Sequence, residues 1–198
     1  MTDTPALISR LLDVIKDDIA PMTAMEVKRG NKIFGAAILL KKDLSLVIAE
    51  TNNEVENPLW HGEMHAIKKL YERDRASLPD PKDCIFLATH EPCSLCLSAI
   101  TWGGYDNFYY LFSHEDSRDS FAIPHDLKIL KEVFTLDPGG YNTSNDYWQS
   151  HDITKMIASL DRGNREKLTA RIDDLIALYA DLSAAYQAGK GDAGIPLD

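Results

Sequence analysis

The chain has 198 residues, 44 % of them apolar and 26 % charged, a composition that excludes a disordered or fibrous protein and predicts a folded globular core. Its 31 acidic against 21 basic side chains leave a net charge of -10, a field that repels polyanions, and no strong cluster of Lys and Arg provides a local exception. No apolar run reaches the roughly 18 residues that span a bilayer, and MTDTPALISR lacks the basic-then-apolar pattern of a signal peptide, so the expected location is the cytoplasm.

Thr4 and Pro5 read as the N-cap and first position of an amphipathic helix whose apolar face is Leu7, Ile8, Leu11, Leu12 and Ile15. IFGAAILL, the polar break KKDLS and LVIAE then predict two strands paired as a hairpin. After the polar loop TNNEVENP a helix opens near Trp60 or His61, with Met64, Ile67, Leu70 and Tyr71 at helical spacing. CIFLAT (84–89) is a predicted strand, CSLCLSAITW (93–102) a short helix, FYYLF (108–112) a strand, and Pro124 precedes the helix HDLKILKEVF. This alternation is that of an α/β sheet with parallel strands. The stretch 136–150, rich in Gly, Asn, Ser and aromatics, reads as a connection between the α/β part (1–150) and a helical extension (151–198). In that extension Ile153, Met156, Ile157 and Leu160 mark a short helix that Gly163 is placed to end, and Leu168, Ile172, Leu175, Tyr179, Leu182 and Tyr186 form the seam of a longer one. The seam is expected to pack on the same domain or on a partner chain, and GKGDAGIPLD reads as a flexible tail.

Three cysteines are too few for a disulfide scaffold, so their spacing points to metal or thiol chemistry. Cys93 and Cys96 form a Cys-x-x-Cys pair after a strand and at the start of a helix, where two thiolates one turn apart share a tetrahedral zinc. A thioredoxin-like redox pair has the same spacing. His61-Gly62-Glu63 at an earlier helix start separates the two, because His-x-Glu followed by Pro-Cys-x-x-Cys is the zinc-deaminase signature. Three ligands, His61, Cys93 and Cys96, leave the fourth position open for water, while Glu63 lies near the metal as a proton carrier. His65, one turn after His61, suggests a metalloprotease helix, but that motif needs Glu at position 62, where this chain has Gly. Cys84 has no partner at metal spacing and reads as a buried, inert thiol.

At these residues, and at FGAAIL (34–39), the pair Asn52-Asn53, and DCIFLATHEPCSLCLSAITW (83–102) followed by acidic SHEDSRDSF (113–121), the chain resembles the cytidine deaminase-like superfamily, most closely the bacterial-type guanine deaminases. The resemblance covers roughly Ile33 to Phe134. It implies a three-layer α/β/α sandwich with a central mixed five-stranded sheet, one zinc per chain with a bound water as nucleophile, and a homodimer. It also implies that Asn53 or Asn52 hydrogen-bonds the base, that Phe34 and Trp102 flank it, and that Asp116 or Asp119 is a second proton-transfer carboxylate. Tyr141, Tyr147 or Trp148 is a further candidate to cap the site. The chain departs from the family pattern with Pro58-Leu59-Trp60 before the zinc His, where Trp60 is expected to reshape the pocket, and with Gly62 in place of Ala.

The leading expectation is therefore a hydrolytic deaminase releasing ammonia from guanine or a related aminopurine or aminotriazine. A cytosine-type or tRNA adenosine deaminase shares the zinc motifs, although RNA binding requires the clustered Lys and Arg that this chain lacks. A structural zinc module requires a fourth protein ligand, and the spacing indicates none.

Overall fold

The computed structural model describes residues 4–136, 139–191 and 193–195; the end of the expected C-terminal tail lies outside them. Five strands form one mixed sheet in the order β2-β1-β3-β4-β5. The predicted hairpin is β1 (Gly35–Leu40) antiparallel to β2 (Leu46–Thr51); β1 also pairs antiparallel with β3 (Cys84–His90), and β3, β4 (Asn107–Phe112) and β5 (Gln149–Asp152) run parallel.

Strand alternation divides the core in two. Ala37, Leu39, Ile85, Leu87, Tyr109 and Leu111 face one side, where they meet α1 (Pro5–Asp13), a π-helical stretch (Val14–Ile19), α2 (Ala20–Val27), α7 (Ile153–Ala158) and α8 (Arg162–Gly189). Ala36, Ile38, Phe86, Phe108 and Tyr110 face the other, under α3 (Gly62–Tyr71) and α4 (Ser94–Trp102). The result is the expected three-layer α/β/α arrangement. The π-helical stretch runs up to Pro21, which has no N–H with which to close an α turn on Asp17. Two short helices, α5 (His114–Asp119) and α6 (His125–Glu132), lie between β4 and β5.

β5 escapes pattern reading because its four residues, Gln-Ser-His-Asp, are polar and carry no apolar alternation; as an edge strand it is held by backbone pairing to β4. Gly163 also differs from expectation. The helix it was to terminate stops at Ala158, and Gly163 lies inside the first turn of α8, whose N-cap is Asp161. The seam of α8 packs on α1 and α2 of its own chain, where Arg171 donates to Ser9 Oγ at 2.6 Å and to Asp13 Oδ1 at 2.5 Å.

Gly62, the departure noted at the start of α3, has a packing reason. A Cβ on it would lie 2.6 Å from Gly35 Cα and 2.9 Å from Gly35 C, so the helix start and the β1 start touch backbone to backbone. Gly62→Ala is therefore expected to lower stability by about 1–3 kcal/mol, the usual range for overpacking, measured as a shift in the urea midpoint; an unchanged midpoint would show that the contact opens freely.

Candidate metal centre and active site

The ligand geometry follows from where α3 and α4 begin. His61 and Cys93 are the N-cap residues of these helices and Cys96 lies in the first turn of α4, all with extended or helical backbone that any residue adopts. Neither side chain makes the N-terminal capping bond of its helix. In its place, Asn52 at the end of β2 accepts from Gly62 N–H at 2.6 Å, which frees the His61 ring to turn toward the sulfurs. His61 Nδ1 lies 3.4 Å from Cys93 Sγ and 3.7 Å from Cys96 Sγ, and the sulfurs are 3.6 Å apart. A tetrahedral zinc with Zn–S near 2.3 Å and Zn–N near 2.1 Å requires donor separations of about 3.6–3.8 Å, so these three residues fit the ion. Among the described residues, this is the group of His, Cys, Asp and Glu side chains placed to hold a metal.

The charges around the triad are strongly perturbed. The Cys96 thiol and the His61 ring hold the Cys93 sulfur well below the ordinary thiol pKa, the Cys96 contact being the larger effect and burial opposing both. Burial and the neighbouring Cys93 push Cys96 the other way. For His61, desolvation alone would lower the pKa, but Cys93 outweighs it and raises the value to about 9. Glu63 is fully enclosed with Oε2 3.3 Å from Cys96 Sγ; burial, then the charge of Cys93, raise its pKa to about 7.

The triad opens onto a cavity of about 330 Å³ lined by Phe34, Pro58, Leu59, Leu95, Ile123 and Ile129 together with Lys32, Glu54, His125 and Asp126. A smaller niche continues from it past Glu63, His90 and Glu91. Asp126 borders both, and burial followed by Cys93 raises its pKa to about 6.

Phe34 lines both spaces, but several other predicted residues do not. Asn52 is consumed by Gly62 and by Glu54, to which its Nδ2 donates at 2.8 Å, and Asn53 Nδ2 donates to Glu56. Trp102, at the end of α4, is 91 % exposed. Trp60 also turns away from the cavity, its ring beneath the Lys68 ammonium at 5.6 Å. Asp116 closes the capping box of α5 with Ser113, and Asp119 pairs on the surface with Arg118. Both are committed by local helix geometry; Asp126, in the first turn of α6, lines the niche beside Glu63 and Glu91. No spacing signal distinguishes Asp126 from the many other acids of the chain.

The 136–150 stretch reaches the edge of the site through Tyr141, whose hydroxyl donates to Glu91, while Trp148 packs on Phe108 and Tyr147 is exposed. Glu91 also accepts from His114 N at 2.9 Å, so this contact steadies the turn leading into Cys93. Cys84 is buried in β3, and burial raises its pKa to about 11. His65 turns its Nδ1 to Thr51 O at 3.0 Å, outside the metal cluster.

A single metal centre built at two helix N-termini, outside the carboxyl end of β3 in an α/β/α sandwich, defines a class of zinc-binding α/β domains. Residues 18–112 match the family model of the cytidine and deoxycytidylate deaminase zinc-binding region. The guanine deaminase of Bacillus subtilis (strain 168) is 37 % identical over 103 residues, 50 % of this chain and 62 % of the relative, so the match spans less than two-thirds of that protein's length. Among solved structures, a guanine deaminase from Bacillus subtilis shares 26 % identity with a TM-score of 0.49, covering 65 % of this chain and 82 % of that one. The solved structure of guanine deaminase from Nitrosomonas europaea shares 18 % identity with a TM-score of 0.44, covering 80 % of this chain and 81 % of that one.

The purified chain is expected to contain about one zinc, and Cys93→Ala or Cys96→Ala to lose it, as measured by elemental analysis; full zinc retention in either variant would remove that cysteine from the site.

Proposed function

We propose that the chain is a zinc-dependent hydrolytic deaminase that releases ammonia from a small free amino-substituted nucleobase, guanine or a related aminopurine or aminotriazine. The observation that carries this reading is Glu63, a fully buried carboxyl 3.3 Å from a metal-ligand sulfur, with its pKa near 7. When bound at His61, Cys93 and Cys96, zinc lowers the pKa of a coordinated water toward neutrality. Glu63 takes the water proton as the oxygen adds to the amino-bearing ring carbon, and delivers it to the ring nitrogen; a second proton then reaches the amino group, the C–N bond breaks, and ammonia leaves with an oxo group in its place. Taking a proton from water and returning it to the substrate makes Glu63 general base and then general acid. Asp126, which lines the niche together with Glu63 and Glu91, is the proposed carrier of the second proton to the leaving amine.

The cavity supports a free base as substrate. Its volume lies within the range of small-ligand sites, its apolar walls and the Phe34 ring suit a flat heterocycle, and Lys32, the lysine that lines it, is paired to Glu54 at 2.9 Å and so is not available to a phosphate. A homodimer is part of the proposal, supported by the exposed Trp102 ring at the end of α4. Among the described residues no helix is long and apolar enough to cross a membrane, which is consistent with a cytoplasmic enzyme.

An ammonia-release screen over guanine, adenine, cytosine, their nucleosides, aminotriazines and tRNA tests the substrate class; turnover confined to nucleosides or to tRNA would overturn the free-base reading. Glu63→Gln is expected to retain zinc and lose about 10²–10⁴-fold in kcat, and Asp126→Asn to lose activity by about 10²-fold or more with zinc retained. Undiminished turnover in the Glu63 variant would sink the mechanism.

A further inference from the structure

Next to the metal triad lies a buried ion pair that the proposed chemistry does not use. Lys32 Nζ, just before β1, donates to Glu54 Oε1 at 2.9 Å, and the two side chains are 7 % and 2 % exposed. Asn52 Nδ2 donates to the other carboxylate oxygen at 2.8 Å, and the segment is tied down further by Val55 N–H donating to Asn31 Oδ1 at 2.9 Å. Burying an ammonium and a carboxylate is costly, and a pair with only a structural role is replaced by apolar residues at little or no loss. Glu54 has a third neighbour. Its Oε1 lies 3.8 Å from His61 Nε2, the ring nitrogen opposite the one that faces the two sulfurs.

We propose that the Lys32–Glu54 pair is a positioning element for the metal: Glu54 Oε1 accepts from His61 Nε2–H and thereby selects the tautomer that presents Nδ1 to zinc. The inference rests on His61 being a ligand. A neutral imidazole that gives the Nδ1 lone pair to a metal carries its proton on Nε2, and such a proton is generally met by a carboxylate or carbonyl that fixes the ring. Glu54 is the carboxylate on that side. The 3.8 Å separation is a charge contact; the hydrogen bond is the feature expected of the zinc-loaded protein. Lys32 and Asn52 hold the two carboxylate oxygens from the far side, so the oxygen facing His61 cannot swing away. Asn52 also receives Gly62 N–H, which couples the ring's orientation to the first turn of α3.

The test uses the full-length zinc-loaded protein with ¹⁵N-labelled histidine. Long-range ¹H–¹⁵N correlation is expected to show His61 bonded to metal through Nδ1, with a slowly exchanging proton on Nε2. In Glu54→Gln that slow exchange is lost and the zinc Kd, from chelator competition, rises about 10–100-fold; Lys32→Met moves both readouts in the same direction. An unprotonated or rapidly exchanging Nε2 in the wild type overturns the proposal, and this readout stands even where a variant does not fold. Unchanged zinc affinity and His61 spectrum in a folded Glu54→Gln overturn it as well. His61→Ala separates the two levels: unaltered zinc affinity there removes the ligand assignment itself, whereas zinc loss there with an unmoved Glu54→Gln removes only the positioning role.

Discussion

The site depends on one steric constraint, the contact between Gly35 at the start of β1 and Gly62 at the start of α3. Three metal ligands from two separate segments must fall within 4 Å of one another, and side-chain flexibility alone does not hold them there. The contact brings the α3 N-terminus against the sheet. Thr89 then ties the same Gly35 to β3, accepting from Gly35 N–H at 3.0 Å with its Oγ1 3.2 Å from Gly35 O. Because β3 runs directly into Glu91, Pro92 and Cys93, a short chain of contacts, backbone at Gly62 and Gly35 and then the Thr89 hydroxyl, links His61 to Cys93. A Cβ at position 62 would push the start of α3 away from the start of β1.

That convergence also sets the electrostatics. The Cys96 thiol and the His61 ring hold the Cys93 sulfur low, while burial and Cys93 push Cys96 up. The same enclosure penalises carboxylates, which is why Glu63 and Asp126 are both raised toward neutrality while Asp119 and Glu72, paired in solvent with Arg118 and Lys68, are lowered. The net charge of -10 thus stays mainly on the surface. Within the cavity, the Lys32–Glu54 pair is internally compensated, and the remaining wall is largely apolar.

Much of the fold was legible because burial leaves periodic marks. The apolar strands IFGAAILL, CIFLAT and FYYLF occupy the sheet interior, and the Leu168-to-Tyr186 seam reports the buried face of α8. β5 was not legible, since a four-residue polar edge strand is defined by its neighbour's backbone and not by its own side chains. At the site, the zinc ligands and Glu63 were readable because metal geometry restricts residue type and spacing together. Asp126, Glu54 and Lys32 carry no such mark: a single acid or base in a chain with many looks alike wherever the fold places it. Asn52 was conspicuous for its position after β2, yet its amide is spent on the Gly62 N–H and on Glu54.

From the sequence alone come the α/β character, the zinc triad His61, Cys93 and Cys96, and the nearby Glu63, because local periodicity and ligand spacing are properties of short segments. Tertiary structure alone decided that Trp102 and Trp60 turn away from the cavity, that Asp126 and not Asp116 or Asp119 borders it, and that Glu54 stands behind His61. Those outcomes depend on which surfaces long-range packing brings together, and no short segment contains that information.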